Sequence, residues 1–127
     1  MKIDYTTFED IDAIQSNQYY KDAKELLKQS LSYQEVFTFK DEQIRAIAMF
    51  FEFYPSCYKC GIILAKDINP HFLRFFRAWM KHKIKEHNCI RLETEGYSDK
   101  TLERFHRFLG FKKEVEINNG GYIKWVM

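Results

Sequence analysis

The sequence predicts an α/β fold in which strands and helices alternate along a chain of 127 residues. Three observations predict this class. Several short runs alternate between apolar and polar residues, longer segments repeat apolar residues at helical spacing, and turn or cap residues separate the two kinds. An apolar fraction of 46% is enough for one core, while the length is short for two domains. We therefore expect a single domain over residues 1–127, with about six or seven strands and about four helices.

The amino-terminal part predicts one strand and two helices. Residues 2–5 alternate like a short strand, and Thr6 or Thr7 then offers a side-chain oxygen to cap a helix that contains Phe8. A second helix is predicted over residues 21–31. Its expected apolar stripe comprises Ala23, Leu26, Leu27 and Leu31.

The central part predicts three antiparallel strands. Residues 35–39, 43–53 and 58–65 are rich in apolar residues and are separated by short polar intervals. Intervals of this length are typical of hairpins. We therefore expect a meander.

A long amphipathic helix is predicted next. Asn69 can cap it and Pro70 suits its first turn, where a missing N–H costs nothing. The expected apolar face comprises Phe72, Phe75, Phe76, Trp79, Met80 and Ile84. A strand follows over residues 89–95, with Ile90 and Leu92 pointing the same way.

The last part predicts a helix and a hairpin. Ser98 is expected to cap the helix and Gly110 to end it in a left-handed conformation. Residues 112–117 and 122–126 then alternate on either side of Asn-Asn-Gly-Gly, which is a strong turn signal.

Charge is distributed unevenly along the chain. The whole sequence carries a net charge of +2, but residues 69–113 carry 11 Lys/Arg against 5 Asp/Glu. Nucleic acid is therefore a possible partner through the helices at 69–87 and 98–109, and a solvated helical face is the alternative. The candidate phosphate contacts are Arg74, Arg77, Lys81, Lys85, Arg104, Arg107, Lys112 and Lys113.

The order of elements resembles the GNAT acetyltransferase superfamily over nearly the whole chain. The sharpest local match is the segment 102–111, LERFHRFLGF, which is similar to the family's helix ending in Leu-Gly-Phe. This resemblance implies a central mixed, mostly antiparallel sheet flanked by helices. A closer likeness is to small GNAT-like internal virion or head-assembly proteins of tailed bacteriophages, through the aromatic-rich segment 72–79.

The resemblance also implies where a cofactor would bind. GNAT enzymes hold the CoA diphosphate on a Gln/Arg-x-x-Gly-x-Gly/Ala loop before the long helix, because glycines let the backbone approach the anion. Here that place contains Asp67 and Pro70 and has no glycine. Lys66, His71 and Arg74 would supply compensating charge if CoA bound. We therefore expect no cofactor, with acetyl-CoA as the alternative.

The resemblance gives candidate catalytic residues in the same way. His106 stands where the family has a tyrosine general acid, and Glu52 is the nearest candidate for a general base, with Glu93 and Glu95 behind it. The alternative for His106 is an ordinary histidine on the basic face of its helix. The alternative for Glu93 and Glu95 is a solvated pair of carboxylates on the outer face of a strand.

A metal site is a further possibility that the spacing raises only weakly. Cys57 and Cys60 have the spacing of zinc ligands, and Cys89, His71 and His87 could complete a set. A second matched pair is missing, so we expect no metal. Three cysteines are also too few for a disulfide framework, which favours free thiols.

Three function hypotheses remain open. The first is a non-catalytic GNAT-fold protein that acts through protein–protein contacts, by resemblance in phage particle or head assembly. The second is a divergent N-acetyltransferase that uses acetyl-CoA, and a basic module that docks on nucleic acid is the third possibility.

No membrane span or secretory signal is apparent, so we expect a protein of the cytoplasm, or of the host cytoplasm or virion if a phage encodes it. A homo-oligomer is possible.

Overall fold

A computed structural model describes residues 1–14, 20–32 and 34–127 of the protein. The strands are β1 (Lys2–Tyr5), β2 (Glu35–Lys40), β3 (Ile44–Tyr54), β4 (Cys57–Leu64), β5 (Arg91–Tyr97), β6 (Lys112–Ile117) and β7 (Tyr122–Val126). The helices are α1 (Phe8–Ala13), α2 (Tyr20–Ser30), α3 (Pro70–Glu86) and α4 (Lys100–Leu109). The order of elements is the predicted one. None of the described helices is long and apolar enough to span a membrane.

The seven strands form one sheet in the order β1-β2-β3-β4-β5-β7-β6. β4 pairs with β5 in parallel, whereas β1 with β2, β2 with β3, β5 with β7 and β6 with β7 are antiparallel. The predicted fold class, a mixed and mostly antiparallel sheet with helices, is therefore confirmed.

The chain divides into two compact units. Unit 1 comprises Met1–Phe51 and Gly61–Leu73, and unit 2 comprises Glu52–Cys60 and Arg74–Met127. The expectation of one domain over residues 1–127 stays a prediction.

Unit 1 contains α1, α2, β1, β2 and parts of β3, β4 and α3. Thr7 caps α1, because its side chain accepts a hydrogen bond from the Asp10 N–H while the Asp10 carboxylate accepts one from the Thr7 N–H. The apolar core of this unit is formed by Ile11, Ile14, Leu27, Val36, Ile44, Ile47 and Ala65. Phe39 meets Phe72 of α3 edge to face at 6.0 Å between ring centroids.

The predicted stripe of α2 is partly wrong. Leu27 is buried, but 66% of Leu26 is exposed. Ala23 lies among residues whose side chains are outside the described part of the chain. A helix this short can bury only one narrow stripe, and Leu26 lies about 100° from Leu27 around the helix.

The core of unit 2 lies between the sheet and helices α3 and α4. Its buried members include Phe76, Met80, Leu92, Phe105, Leu109, Phe111, Ile123 and Trp125. Phe76 and Phe105 bring α3 and α4 together at 6.2 Å between ring centroids. Two apolar residues differ from their expected placement. Phe75, expected on the apolar face of α3, is exposed at the edge of that stripe, and Ile90, expected to point the same way as Leu92, is exposed before β5.

Polar residues set the ends of α4 and of the last hairpin. Asp99, not the predicted Ser98, caps α4, because its carboxylate accepts hydrogen bonds from the N–H groups of Thr101 and Leu102. Gly110 ends the helix at φ 105°, as predicted. The turn between β6 and β7 places Asn118 and Asn119 at φ 54° and 56°, as the Asn-Asn-Gly-Gly signal predicts.

Candidate functional site

The start of α3 is the place where the resemblance expects a diphosphate. Asn69 caps this helix as predicted: its side-chain oxygen accepts a hydrogen bond of 2.8 Å from the Phe72 N–H. Pro70 has no N–H, and the Leu73 N–H donates to the Asn69 carbonyl. Several amides that could otherwise face an anion are thus absent or already engaged.

The three cationic candidates for CoA binding are exposed. Lys66 and His71 belong to unit 1, and Arg74 belongs to unit 2. The Arg45 guanidinium donates a hydrogen bond of 3.4 Å to the Asp67 carbonyl. This bond joins β3 to the segment that precedes α3, and both residues belong to unit 1. The role of the three cations stays a prediction.

Glu52, the candidate base, is exposed near the carboxyl end of β3, just before the turn to β4. Its carboxylate accepts a hydrogen bond of 3.2 Å from the Ser56 N–H. Ser56 has φ 63°, a left-handed conformation that is rare for a residue with a side chain. The hydrogen bond between Glu52 and Ser56 therefore stabilises the turn between β3 and β4, which is a structural role.

His106, the candidate acid, is buried in the core of unit 2. Its ring stacks on Trp125 at 5.2 Å between centroids and meets Phe111 edge to face at 6.0 Å. A Cβ atom on Gly96 would lie 3.1 Å from the His106 Cε1 atom, so glycine makes room for the imidazole in β5. The interpretation of His106 as part of an exposed basic face is therefore wrong.

The surroundings of His106 favour its neutral form. Burial lowers the pKa of His106 to about 4, with the Leu102 carbonyl opposing the shift. A neutral imidazole enclosed by rings and a strand is placed for packing rather than for proton donation.

Glu93 is buried on β5 and does not form the expected solvated pair with Glu95. Its two carboxylate oxygens bind Arg91 at 2.8 Å and Lys124 at 2.9 Å. Burial acts to raise the pKa of Glu93, but the hydrogen bonds from both cations outweigh it, so the pKa lies below its ordinary value. Glu95 is exposed, as expected.

A pocket lies where β4 and β5 stop pairing. The parallel ladder contains three pairs and ends at Lys59↔Glu93, while both strands continue beyond it. The pocket has a volume of about 150 Å³. It is lined by Lys59, Cys60, Glu93, Thr94 and Glu95, all in unit 2. Sequence reasoning missed Lys59 and Thr94 as site residues and considered Cys60 only as a metal ligand, because no local pattern reveals the register between β4 and β5.

The three cysteines are free thiols. Burial raises the pKa of Cys60 to about 12, despite a hydrogen bond with Thr94, and burial also raises the pKa of Cys89. Thiols with raised pKa values are poor nucleophiles at neutral pH. In the described ranges, no group of three or more His, Cys, Asp or Glu residues could hold a metal ion.

Solved structures of acetyltransferases are similar in fold to this chain. No protein-family model matches the sequence, and no curated protein matches it. The chain is similar to the solved structure of a Bacillus subtilis acetyltransferase in complex with CoA, with a TM-score of 0.75, 13% identity, and coverage of 99% of this chain and 97% of that one. An aminoglycoside 6'-acetyltransferase type Ii gives a TM-score of 0.73 at 10% identity, with 100% and 96% covered.

A third structure agrees with these two. An IAA acetyltransferase from Bacillus cereus ATCC 14579 has a TM-score of 0.72 and 12% identity, with 99% of this chain and 97% of that chain covered. At such low identities the likeness shows the fold, while activity is a separate question. The chain has the fold of the GNAT acetyltransferases.

Proposed function

We propose that the chain is a divergent N-acetyltransferase that holds the acyl end of acetyl-CoA in the pocket beside Lys59 and Glu93. The observation that carries this proposal is the end of the β4–β5 ladder at that pair, directly at the pocket. Where paired strands part, an extended ligand can add to a strand edge through backbone hydrogen bonds. The fold shared with an acetyltransferase solved in complex with CoA supports an acyl-CoA as the ligand.

The structure suits the acyl group of acetyl-CoA better than its diphosphate. A pocket of about 150 Å³ has room for a small acyl group. The start of α3 fits a diphosphate poorly, because Pro70 lacks an N–H and Asn69 engages the Phe72 amide. We therefore assign binding to the acyl and pantetheine end.

Glu95 is the proposed general base. An amine must lose a proton as its nitrogen attacks the thioester carbonyl, and a carboxylate in reach can accept that proton. Glu93 is less suited, because its pKa is lowered and Arg91 and Lys124 hold both of its oxygens. Glu95 lines the same pocket, is exposed, and forms no ion pair among the described residues.

Lys59 is the proposed partner of the leaving group. It lines the pocket, and its ammonium lies 5.4 Å from the centroid of the Phe53 ring. Negative charge develops on sulfur when the carbon–sulfur bond breaks, and a nearby cation stabilises that charge. His106 has a packing role in this scheme, since it is neutral and buried.

Calorimetric titration tests the binding claim. Acetyl-CoA and S-acetylpantetheine, which lacks the nucleotide, should bind with affinities within about tenfold of each other, or about 1.4 kcal/mol. Glu95→Trp should abolish binding by filling the pocket, while the matched control Glu42→Trp, at an exposed position outside it, should bind normally. Binding that requires the nucleotide, or that E95W leaves intact, would contradict the proposed site.

A rate measurement tests the role of Glu95. With acetyl-CoA as donor and spermidine as a probe amine, Glu95→Gln should slow release of the thiol by about 10²–10⁴-fold. Glu52→Gln should leave the rate unchanged, because Glu52 supports the β3–β4 turn. Equal rates for the wild type and E95Q would remove Glu95 from the mechanism.

A second candidate is a non-catalytic protein of the same fold that acts through protein contacts. The engaged helix start at Asn69 and Pro70 and the buried, neutral His106 favour it. Titrations without heat for either ligand would support this candidate over the first. A role in phage particle or head assembly stays a prediction within it.

A further inference from the structure

We infer that the shared outer face of α3 and α4 is a docking surface for the phosphate backbone of duplex nucleic acid. This basic face consists of Arg74, Arg77, Lys81, Lys85, Lys100, Arg104 and Arg107, all in unit 2. The inference is independent of acyl-CoA binding, since none of these residues except Arg74 is a candidate for that site.

Helical spacing places four of these cations in one row on α3. Arg74, Arg77, Lys81 and Lys85 are separated by three or four residues, which keeps them within about 80° around the helix. The row is about 16 Å long at a rise of about 1.5 Å per residue. The buried stripe with Phe76 and Met80 lies on the other side of α3.

α4 adds a second row beside the first. Lys100, Arg104 and Arg107 are exposed and lie opposite the buried Phe105 and Leu109. The guanidinium of Arg77 lies 4.3 Å from the centroid of the Phe108 ring, which fixes the two helices side by side. Both rows therefore belong to one continuous surface.

The acids of these helices do not neutralise the face. α3 and α4 together contain eight Lys/Arg and two Glu. Glu86 pairs with Lys83 at 2.8 Å and Glu103 approaches Lys113 at 3.7 Å, and neither lysine belongs to the basic face. On the sheet, in contrast, Arg91 and Lys124 are paired with Glu93 and Glu114. The surplus positive charge of unit 2 is thus concentrated on its helices.

The chemistry of the face fits phosphates better than a protein partner. Protein interfaces are built around an apolar core with aromatic anchors. Here Phe76 and Phe105 are buried, and Arg77 covers Phe108, so the space between the two rows offers cations rather than apolar surface. Closely spaced arginines and lysines match the regular negative charges of a nucleic-acid backbone.

Fluorescence anisotropy with a labelled DNA duplex of mixed sequence and the full chain tests the inference. Binding should weaken steeply between 50 and 200 mM salt, with a slope of about −0.9 in log–log form for each phosphate contact. Lys81→Gln/Arg104→Gln should reduce that slope by about 2. The charge-conserving variant Lys81→Arg/Arg104→Lys should keep it.

A matched pair of neutralised lysines controls for total charge. Lys2→Gln/Lys40→Gln removes two cations from β1 and β2 in unit 1 and should bind the duplex like the wild type. No binding at 50 mM salt would overturn the inference, and so would equal binding by K81Q/R104Q or equal loss in K2Q/K40Q. Displacement of the duplex by poly-glutamate at equal charge concentration would also overturn it, in favour of an acidic protein partner.

Discussion

At the scale of single residues, the pairing of Gly96 with His106 explains how a histidine enters the core of unit 2. The imidazole stacks on Trp125 and occupies the space that a side chain at position 96 would need. The histidine keeps its ring in that core only in the neutral form, because burial disfavours the imidazolium.

Gly96→Ala should destabilise the protein by about 1–3 kcal/mol, because the new Cβ lies 3.1 Å from the His106 Cε1 atom and the packed core yields little. Unfolding in urea measures this change. The double variant Gly96→Ala/His106→Ala should show a coupling free energy, since removing the imidazole removes the clash. Additive effects of the two substitutions would show that the contact is unimportant.

Stability should also fall in acid because of His106. Its pKa is about 4 in the folded state and about 6.5 in the unfolded chain, so only the unfolded chain gains this proton between those values. The free energy of unfolding should therefore decrease as the pH falls from about 6.5 to about 4, by about 3 kcal/mol from this group.

Urea unfolding measured across pH values checks this dependence. His106→Leu should flatten the acid limb of the profile, whereas His82→Gln, at an exposed position on α3, should leave it unchanged. An acid limb that is the same in H106L and the wild type would contradict the assignment to His106.

At the scale of elements, the local signals of the sequence were enough to order the strands and helices. Thr7, Asn69 and Gly110 mark helix ends, and the Asn-Asn-Gly-Gly run marks the last hairpin, because each acts through hydrogen bonds or dihedral angles of its immediate neighbours. Details that depend on partners far along the chain could not be predicted. The burial of Glu93 requires Lys124 on a neighbouring strand, and the pocket requires the register of β4 with β5.

The cap of α4 gives a test at this scale. Asp99→Ala should cost about 1 kcal/mol of stability, because the N–H groups of Thr101 and Leu102 lose their acceptor. Ser98→Ala should change stability by a few tenths of a kcal/mol at most, since Ser98 precedes the cap. Urea unfolding of both variants compares the two positions, and a larger loss in S98A would assign the cap to Ser98.

At the scale of the whole molecule, the fold was predictable but the site was predictable only in part. The order of elements led to the GNAT fold, which the structural comparisons share. Glu52 and His106 are in structural surroundings, whereas the pocket brings together Lys59, Cys60 and Glu95 from different strands. Such a set arises from tertiary contacts, which helical or strand periodicity does not encode.

The proposed acetyl transfer depends most on where the acyl end of the cosubstrate binds. Nuclear magnetic resonance of the ¹⁵N-labelled full chain, titrated with S-acetylpantetheine, observes that place directly through backbone amides. We predict that the amide signals of Cys60, Thr94 and Glu95 shift to saturation, while that of Phe72 at the start of α3 stays in place. Unchanged signals for Cys60, Thr94 and Glu95 at saturating ligand would contradict the account.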